Sequence, residues 1–239
     1  MGGQEAVEVA SKMGTHVLVK HCRDMAQSAA SVTNEHAGRE YYPATVLLLS
    51  GVPLSNAEVY KAAEKDKSMA WMGSTLVVVQ IADNDMSMAH VGDSRVYLLR
   101  QKELKQLTND HSLVMEQVRL GMLSREDAES SKIGNVMLRA LCAEPDVEVD
   151  LDEVWLQVED TVLLCSDGLT RTVSDNDIAR ILNSYKDPQH AVNQLVVAAI
   201  ENGGEDNITV IVIRTLPSKT YWLKKLAGIF QKGDGKWLN

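Results

Sequence analysis

The sequence predicts an α+β fold in which helices cover antiparallel sheets, and two observations favour it. Apolar segments typical of strands come in adjacent pairs, at 74–83 with 87–100 and at 147–158 with 160–168. Neither GxGxxG nor GxxxxGK followed by Ser or Thr, the patterns that hold phosphates in doubly wound nucleotide folds, occurs in the chain. Because strands and helices are mixed rather than strictly alternating, a doubly wound parallel sheet is excluded.

The first quarter of the chain holds one predicted helix and one segment whose structure stays open. Residues 4–30 have helix-forming composition, and apolar residues recur there at helical spacing, beginning with Val9, Met13 and Val17. In the next segment, 31–56, turn formers and aromatic residues precede ATVLLLSGVP, which fits a short strand or a helix fragment. We assign no function to that segment.

From Ser74 the apolar period changes to two. STLVVVQIAD (74–83) and SMAHVGDSRVYLLR (87–100) predict two strands that are joined at Asn84 and followed by a charged turn at 101–103. This pattern predicts a β meander.

Polar helical segments and strands share the second half of the chain. A polar helical segment covers 111–132, where Ser124 before acidic residues is typical of a helix start. Ser174 fits the N-cap of a later helix. The remaining predictions are strands over 147–158, 160–168 and 208–216 and helices over 174–185 and 188–201.

Composition limits the function classes. The formal net charge of −9 over 239 residues argues against a nucleic-acid binder, because such proteins present a basic face. A hydrophobic content of 45% is enough for a substantial core in one large or two small domains. Cations are therefore more plausible partners than nucleic acids.

The cysteines indicate a reducing compartment. Cys22, Cys142 and Cys165 are odd in number and show no CxxC or zinc spacing, so we expect reduced thiols. The sequence has no signal-peptide pattern and no apolar run long enough to span a bilayer. We therefore expect a cytoplasmic protein.

Three acidic residues stand next to apolar strands and are the strongest functional signal. Asp167 lies in LLCSDGL, Asp206 in GGEDNITVIVI and Asp93 in AHVGDSRVYLL. A strand that ends in a carboxylate delivers a hard oxygen ligand to the rim of a sheet, where Mg²⁺ or Mn²⁺ can gather. Alternatively, an Asp before Gly or Asn only starts a turn.

Seven strings in the chain are similar, in order and approximate spacing, to successive motifs of the metal-dependent protein phosphatase family, type 2C. The resemblance covers Met1 to about Thr215 and is weakest at 21–70. The strings are MGG (1–3), MGSTLVVV (72–79), VGDSRVYLLR (91–100), LTNDHSLV (107–114), NVMLRALCAEPDVEVD (135–150), LLCSDGLTRTVSD (163–175) and GGEDNITVIVI (203–213).

The resemblance implies a fold and a reaction. The fold is an α–β–β–α sandwich of two antiparallel sheets with helices outside and a two-metal site at one end. In the reaction, two Mn²⁺ or Mg²⁺ ions lower the pKa of a bridging water, which attacks the phosphorus of phosphoserine or phosphothreonine directly. The metals also neutralise charge on the phosphoryl oxygens.

The resemblance also implies a role for each of the three acids. Asp167 and Asp206 would ligate one core metal, and Asp93 with Asp167 would hold a third, more weakly bound ion that bacterial members carry. Asn207 would shape the turn beside Asp206 rather than bind metal.

The chain departs from the family pattern at its first residue. Family members carry Asp-Gly directly before the position of Met1, and the Asp bridges both core metals. The strands that precede it, one of which supplies a phosphate-binding arginine, are also lacking, so the resemblance predicts an N-terminally truncated sandwich. Met at this position is typical of bacterial members.

Three explanations of that departure stay open. The native start lies upstream and the protein is a complete phosphatase, which the retained acids favour. Alternatively, the chain is an inactive relative that binds phosphoproteins or metals, or it belongs to the regulator branch that dephosphorylates anti-sigma-factor antagonists.

Other polar residues carry weaker predictions. His90 could be a general acid but lies inside an apolar strand, so packing is the favoured interpretation. His111 fits a structural or a substrate-side role. Arg139 could touch substrate, although pairing with a carboxylate is favoured. The segment 111–135 is expected to form a flap that sets substrate specificity.

The predicted domains are a phosphatase domain over 1–216 and an amphipathic tail over 217–239. The tail carries apolar residues on one helical face and is expected to dock on the domain or a partner rather than on a membrane. The family resemblance implies phosphorylated proteins as partners, made by a Ser/Thr protein kinase, and we expect a monomer.

Overall fold

The computed structural model describes residues 4–27, 35–36, 39–66, 72–124, 127–128, 136–204 and 206–217. The helices are α1 (Gln4–Gln27), α2 (Pro43–Lys65), α3 (Leu113–Arg119), α4 (Asp167–Thr170), α5 (Asp175–Ser184) and α6 (Pro188–Glu201). The strands are β1 (Glu35–His36), β2 (Arg39–Glu40), β3 (Leu76–Ala82), β4 (Asp85–Val91), β5 (Arg95–Arg100), β6 (Glu103–Gln106), β7 (Asp150–Trp155), β8 (Thr161–Cys165) and β9 (Val210–Arg214). Met1 and the tail beyond residue 217 lie outside the described residues.

Two antiparallel sheets form the centre of the described fold. One has the strand order β3-β4-β7 and the other β6-β5-β8-β9, while β1 and β2 form a separate short ribbon. The predicted turn at Asn84 joins β3 to β4, whose register pairs Ala82 with Asp85. The predicted charged turn joins β5 to β6, with left-handed backbone at Gln101 and Lys102.

The sheets pack face to face with a helical layer on each outer side. Between them lie alternate residues of β4, β5 and β8, including Met88, Leu98 and Val162. The opposite face of β4 packs against α1 and α2, and the opposite faces of β5 and β8 pack against α5 and α6. The predicted α–β–β–α sandwich is confirmed.

One predicted strand proved to be two. The segment 87–100 was expected to form a single strand, but β4 ends at Val91 and β5 begins at Arg95, in a different sheet. The break occurs at Gly92, whose φ of +114° is accessible to glycine. A Cβ there would lie 2.4 Å from Thr75 Cγ2. The chain thus crosses between the sheets at this point and leaves Asp93 at their rim.

The open segment before residue 56 contains a helix. ATVLLLSGVP lies inside α2, which begins with Pro43 at its first turn, where proline is tolerated, and continues through Pro53. The opening helix and the helix over 188–201 are confirmed. Ser174 caps α5 by accepting a hydrogen bond from the Asp177 amide. Among the described residues, every helix is too short or too polar to traverse a lipid bilayer.

Candidate metal centre

Asp167 and Asp206 lie on two loops that are tied together by backbone and side-chain hydrogen bonds. Asp167 opens α4 directly after buried strand β8, and Asp206 precedes β9, the strand that pairs with β8. The Ser166 amide donates to the Thr209 carbonyl at 3.1 Å, and the Thr209 amide donates to Ser166 Oγ at 2.9 Å. Ser166 Oγ donates to the Asn207 carbonyl at 2.9 Å. Antiparallel pairing therefore brings two acids 39 positions apart to one end of the sandwich.

Gly168 allows the closest approach between these loops. A Cβ on Gly168 would lie 2.5 Å from the Asn207 carbonyl oxygen, well inside van der Waals contact. The Asn207 backbone therefore packs directly against the start of α4. This contact supports the prediction that Asn207 shapes the turn beside Asp206.

Asp93 lies on the crossover between the sheets, and His111 holds the residue before it. The His111 amide donates to the Gly92 carbonyl at 2.9 Å, and the Gly92 amide donates to His111 Nδ1 at 3.2 Å. His111 is buried, so its position is fixed by packing as well as by hydrogen bonds. The favoured role for His111 is structural: it fixes the loop that carries Asp93.

Burial and neighbouring charge make the carboxylates of the cleft costly to ionise together. Burial, and then the Asp167 and Asp110 carboxylates, raise the pKa of Asp93 to about 6. Burial also raises the pKa of Asp167, with Arg171 opposing that rise and Asp206 adding to it. A bound cation relieves such repulsion, and carboxylate oxygens are the donors that Mg²⁺ and Mn²⁺ prefer. The donor set thus fits a hard divalent metal.

A cleft of about 660 Å³ opens beside these residues. Asp93, Asp167 and Arg171 line it, whereas Asp206 lies just outside and reaches it through Arg171, whose Nη1 is 3.6 Å from Asp206 Oδ2. The cleft is large enough to receive a side chain with its phosphoryl group, because small-molecule sites commonly have volumes of this order.

A half-buried hydrogen-bonded network forms part of the cleft wall. Arg95 donates three hydrogen bonds to the Asp110 carboxylate and one to Tyr97 Oη, and Tyr97 Oη donates to Asp175 at 2.9 Å. The fork of Arg95 pairs with Asp110, and the Tyr97 hydroxyl donates to Asp175, so these two lining carboxylates are held by the cleft wall.

Another cluster of possible metal ligands joins His90, His111 and Asp150, whose donor atoms lie within 4.8 Å of one another. Each of them already has protein partners. His90 Nε2 contacts the Asn109 carbonyl at 2.9 Å, and Arg139 Nη1 donates to Asp150 Oδ1 at 2.8 Å. Because His111 Nδ1 accepts from Gly92, its Nε2 carries the proton that faces Asp150 Oδ2 at 3.3 Å.

This cluster is therefore a hydrogen-bonded support rather than a cation site. The Arg139 guanidinium, which also lies 3.4 Å from Glu148, would repel a metal ion there. The packed role predicted for His90 and the carboxylate pairing predicted for Arg139 agree with these contacts.

The support cluster makes stability depend on pH. The hydrogen bond from His111, helped by Arg139, lowers the pKa of Asp150 from 3.8 to about 2. A carboxylate whose pKa is lowered in the folded state contributes its full stabilisation of the fold above about pH 4. This contribution is lost as the pH falls towards 2. Solvent screening limits its size, since the Asp150 side chain is 37% exposed.

We expect Asp150→Asn to lower the free energy of unfolding by about 1 kcal/mol at pH 7. The deficit should narrow at pH 3, because this pH lies below the ordinary pKa of 3.8 and the unfolded chain then binds a proton that the folded chain does not. Urea unfolding at both pH values measures it, with Asp152→Asn, an exposed acid on the same strand, as the control. If the variant lost the same free energy of unfolding at both pH values, the ionised form of Asp150 would not be the form that stabilises the fold.

The comparisons with known proteins agree with this geometry. A family model described as protein phosphatase 2C matches residues 4–117. The serine/threonine phosphatase stp of Listeria monocytogenes is 39% identical over 213 residues, which cover 89% of this chain and 81% of that protein. The chain belongs to the protein phosphatase 2C family.

Other members of the protein phosphatase 2C family give the same result. Protein phosphatase PhpP of Streptococcus pneumoniae is 33% identical over 89% of this chain and 82% of its own length. The crystal structure of the Mycobacterium tuberculosis phosphatase PstP/Ppp has a TM-score of 0.78 at 31% identity, covering 90% of this chain and 85% of that one. A structure of the PstP catalytic domain in complex with two manganese ions has a TM-score of 0.73 at 32% identity and covers 89% and 83%.

Some residues of this phosphatase 2C cleft were missed in the sequence. Arg171 was not singled out, although its position four residues after Asp167 at a helix start is a spacing at which side chains meet. The pairing of Arg95 with Asp110 joins residues 15 apart, and no local pattern reports it.

Proposed function

We propose that this chain hydrolyses phosphoserine and phosphothreonine in proteins, and that Asp167, Asp206 and Asp93 hold the metal ions that the reaction requires. Metal-dependent dephosphorylation follows from its membership of the protein phosphatase 2C family and from the phosphatases it is similar to. The observation that carries the site assignment is the juxtaposition of Asp167 with Asp206 at the mouth of a cleft that Asp93 also lines. The comparisons favour turnover over an inactive binding module.

Each carboxylate has a proposed place. Asp167 and Asp206 hold one core ion, because their loops are joined through Ser166 and cannot drift apart. Asp93 and Asp167 hold a further, weaker ion, since their charges interact across the cleft. Mn²⁺ or Mg²⁺ held by these acids would supply the activation of a water and the neutralisation of charge on the phosphoryl oxygens.

The surrounding residues hold the acids and the cleft wall in place. Gly92 and His111 fix the Asp93 loop, and the Arg95 pair with Asp110 holds the cleft wall. We assign the proton of the leaving alkoxide to water, because the acids that line the cleft are given to metal or to contacts within the cleft wall.

The remaining assignments are proposals of the same kind. We propose residues 1–216 as the phosphatase domain and 217–239 as a tail that docks on the domain or a partner. Substrates are proteins phosphorylated by a Ser/Thr protein kinase, the chain acts as a monomer, and it works in the cytoplasm. The flap over 111–135, whose described residues are 111–124 and 127–128 and include α3, is the proposed determinant of substrate choice.

The function is tested by phosphate release from a phosphothreonine peptide with and without Mn²⁺. We expect release to require the metal, to stop when a chelator is added and to return when Mn²⁺ is restored in excess. The same peptide with phosphotyrosine is the matched substrate control and should release far less. Release that is indifferent to the chelator, or no release with Mn²⁺, would contradict the proposal.

A further inference from the structure

Arg171 contacts both of the acids that are assigned to one metal ion. Its Nη2 lies 2.5 Å from Asp167 Oδ2, and its Nη1 lies 3.6 Å from Asp206 Oδ2. The guanidinium therefore stands between two carboxylates, where a divalent cation would have to stand to bind both. Its side chain is 42% exposed and lines the cleft, so it has room to move away.

Two opposite effects on metal binding have to be weighed. Arg171 could preorganise the acids by holding them together, or it could compete with a metal ion for the same oxygens. Preorganisation is already supplied elsewhere, because Ser166 ties the two loops through three hydrogen bonds to Asn207 and Thr209 that do not involve Arg171. Removing Arg171 would leave those bonds in place.

Competition is therefore the dominant effect. A metal ion at Asp167 must displace the ion pair in which Arg171 Nη2 lies 2.5 Å from Oδ2, or share that oxygen with a cation. A guanidinium that stays nearby still repels a dication through space. Both consequences weaken metal binding.

We propose that Arg171 is an internal counter-cation that competes with Mn²⁺ or Mg²⁺ for Asp167 and Asp206 and thereby sets the metal affinity of the centre. The proposal rests on the metal assignment made above. When metal binds, Arg171 moves off Asp167 towards the cleft. The metal requirement of this chain is thus set partly by a residue that is not a ligand.

Calorimetric titration of the chelator-treated chain with Mn²⁺ tests this competition without any turnover. We expect Arg171→Gln to bind Mn²⁺ about threefold to tenfold more tightly than the native chain. A change of this size corresponds to the energy of a partly exposed ion pair together with the repulsion between the guanidinium and a nearby dication. Arg171→Lys keeps the charge but loses the fork that reaches both acids, so its affinity should fall between the two. Circular dichroism confirms that each variant is folded.

Arg180→Gln is the matched control, because Arg180 is an exposed arginine paired with Asp177 outside the cleft. It should leave the Mn²⁺ affinity unchanged. Equal or weaker binding by Arg171→Gln would overturn the competition while leaving the metal centre in place. Absence of Mn²⁺ binding by the native chain and both Arg171 variants would overturn the metal assignment and the competition together.

Discussion

Asp167→Asn is expected to abolish Mn²⁺-dependent hydrolysis of a phosphothreonine peptide, lowering kcat/KM by about 10³-fold or more. Asp167 is the acid shared by both proposed metal pairs, and an amide supplies neither its charge nor its second anionic oxygen. The change also removes the anionic partner that Arg171 contacts at 2.5 Å. The effect should therefore exceed that of altering either of the other two acids.

The control for this variant is Asp152→Asn. Asp152 is an exposed carboxylate on β7 that does not line the cleft, so its variant should keep native kcat/KM. Both variants should unfold at similar urea concentrations. Activity retained by Asp167→Asn in the presence of Mn²⁺ would remove Asp167 from the metal centre.

Gly168→Ala is expected to damage both stability and turnover. The added Cβ would lie 2.5 Å from the Asn207 carbonyl oxygen and 3.0 Å from its carbon, and backbone atoms cannot rotate away as side-chain ends can. Overpacking of this kind costs about 1–3 kcal/mol. Relief requires the Asp167 and Asp206 loops to separate, and a displacement of about 1 Å in a catalytic site costs roughly 10²-fold in rate.

Gly14→Ala provides the comparison at another helical glycine. Its Cβ would lie 3.3 Å from Leu141 Cδ1, the end of a flexible side chain, and alanine favours the helix by about 1 kcal/mol. Thermal unfolding and peptide hydrolysis should show little loss for Gly14→Ala and a marked loss of both for Gly168→Ala. Normal turnover in Gly168→Ala would mean that the close approach of the two loops is not needed.

The sequence was most informative where local chemistry decides structure. Ser174 and the helix over 188–201 were predictable because capping and helical spacing depend on neighbouring residues. The position of the three acids at the ends of strands was predictable because each of them adjoins an apolar strand. Their assignment to metal stays a proposal. The prediction of the sandwich rested on several family-like motifs in the same order, rather than on any single motif.

The features that the sequence did not predict depend on packing between distant segments. ATVLLLSGVP forms a helix because α2 packs on α1 and on β4, a context that its aliphatic run does not contain. The crossover at Gly92 was hidden inside one continuous apolar pattern, since a change of sheet leaves the alternation intact. The contact of Arg171 with Asp206 joins two loops that only antiparallel pairing of β8 and β9 brings together.

Crystals grown with Mn²⁺ and measured at the manganese absorption edge test the metal centre most directly. We expect an anomalous peak within coordination distance of Asp167 and Asp206, a weaker one beside Asp93, and the Arg171 guanidinium displaced from Asp167. A peak at His90, His111 and Asp150 instead, or none along the cleft, would contradict the assignment of these three acids to metal.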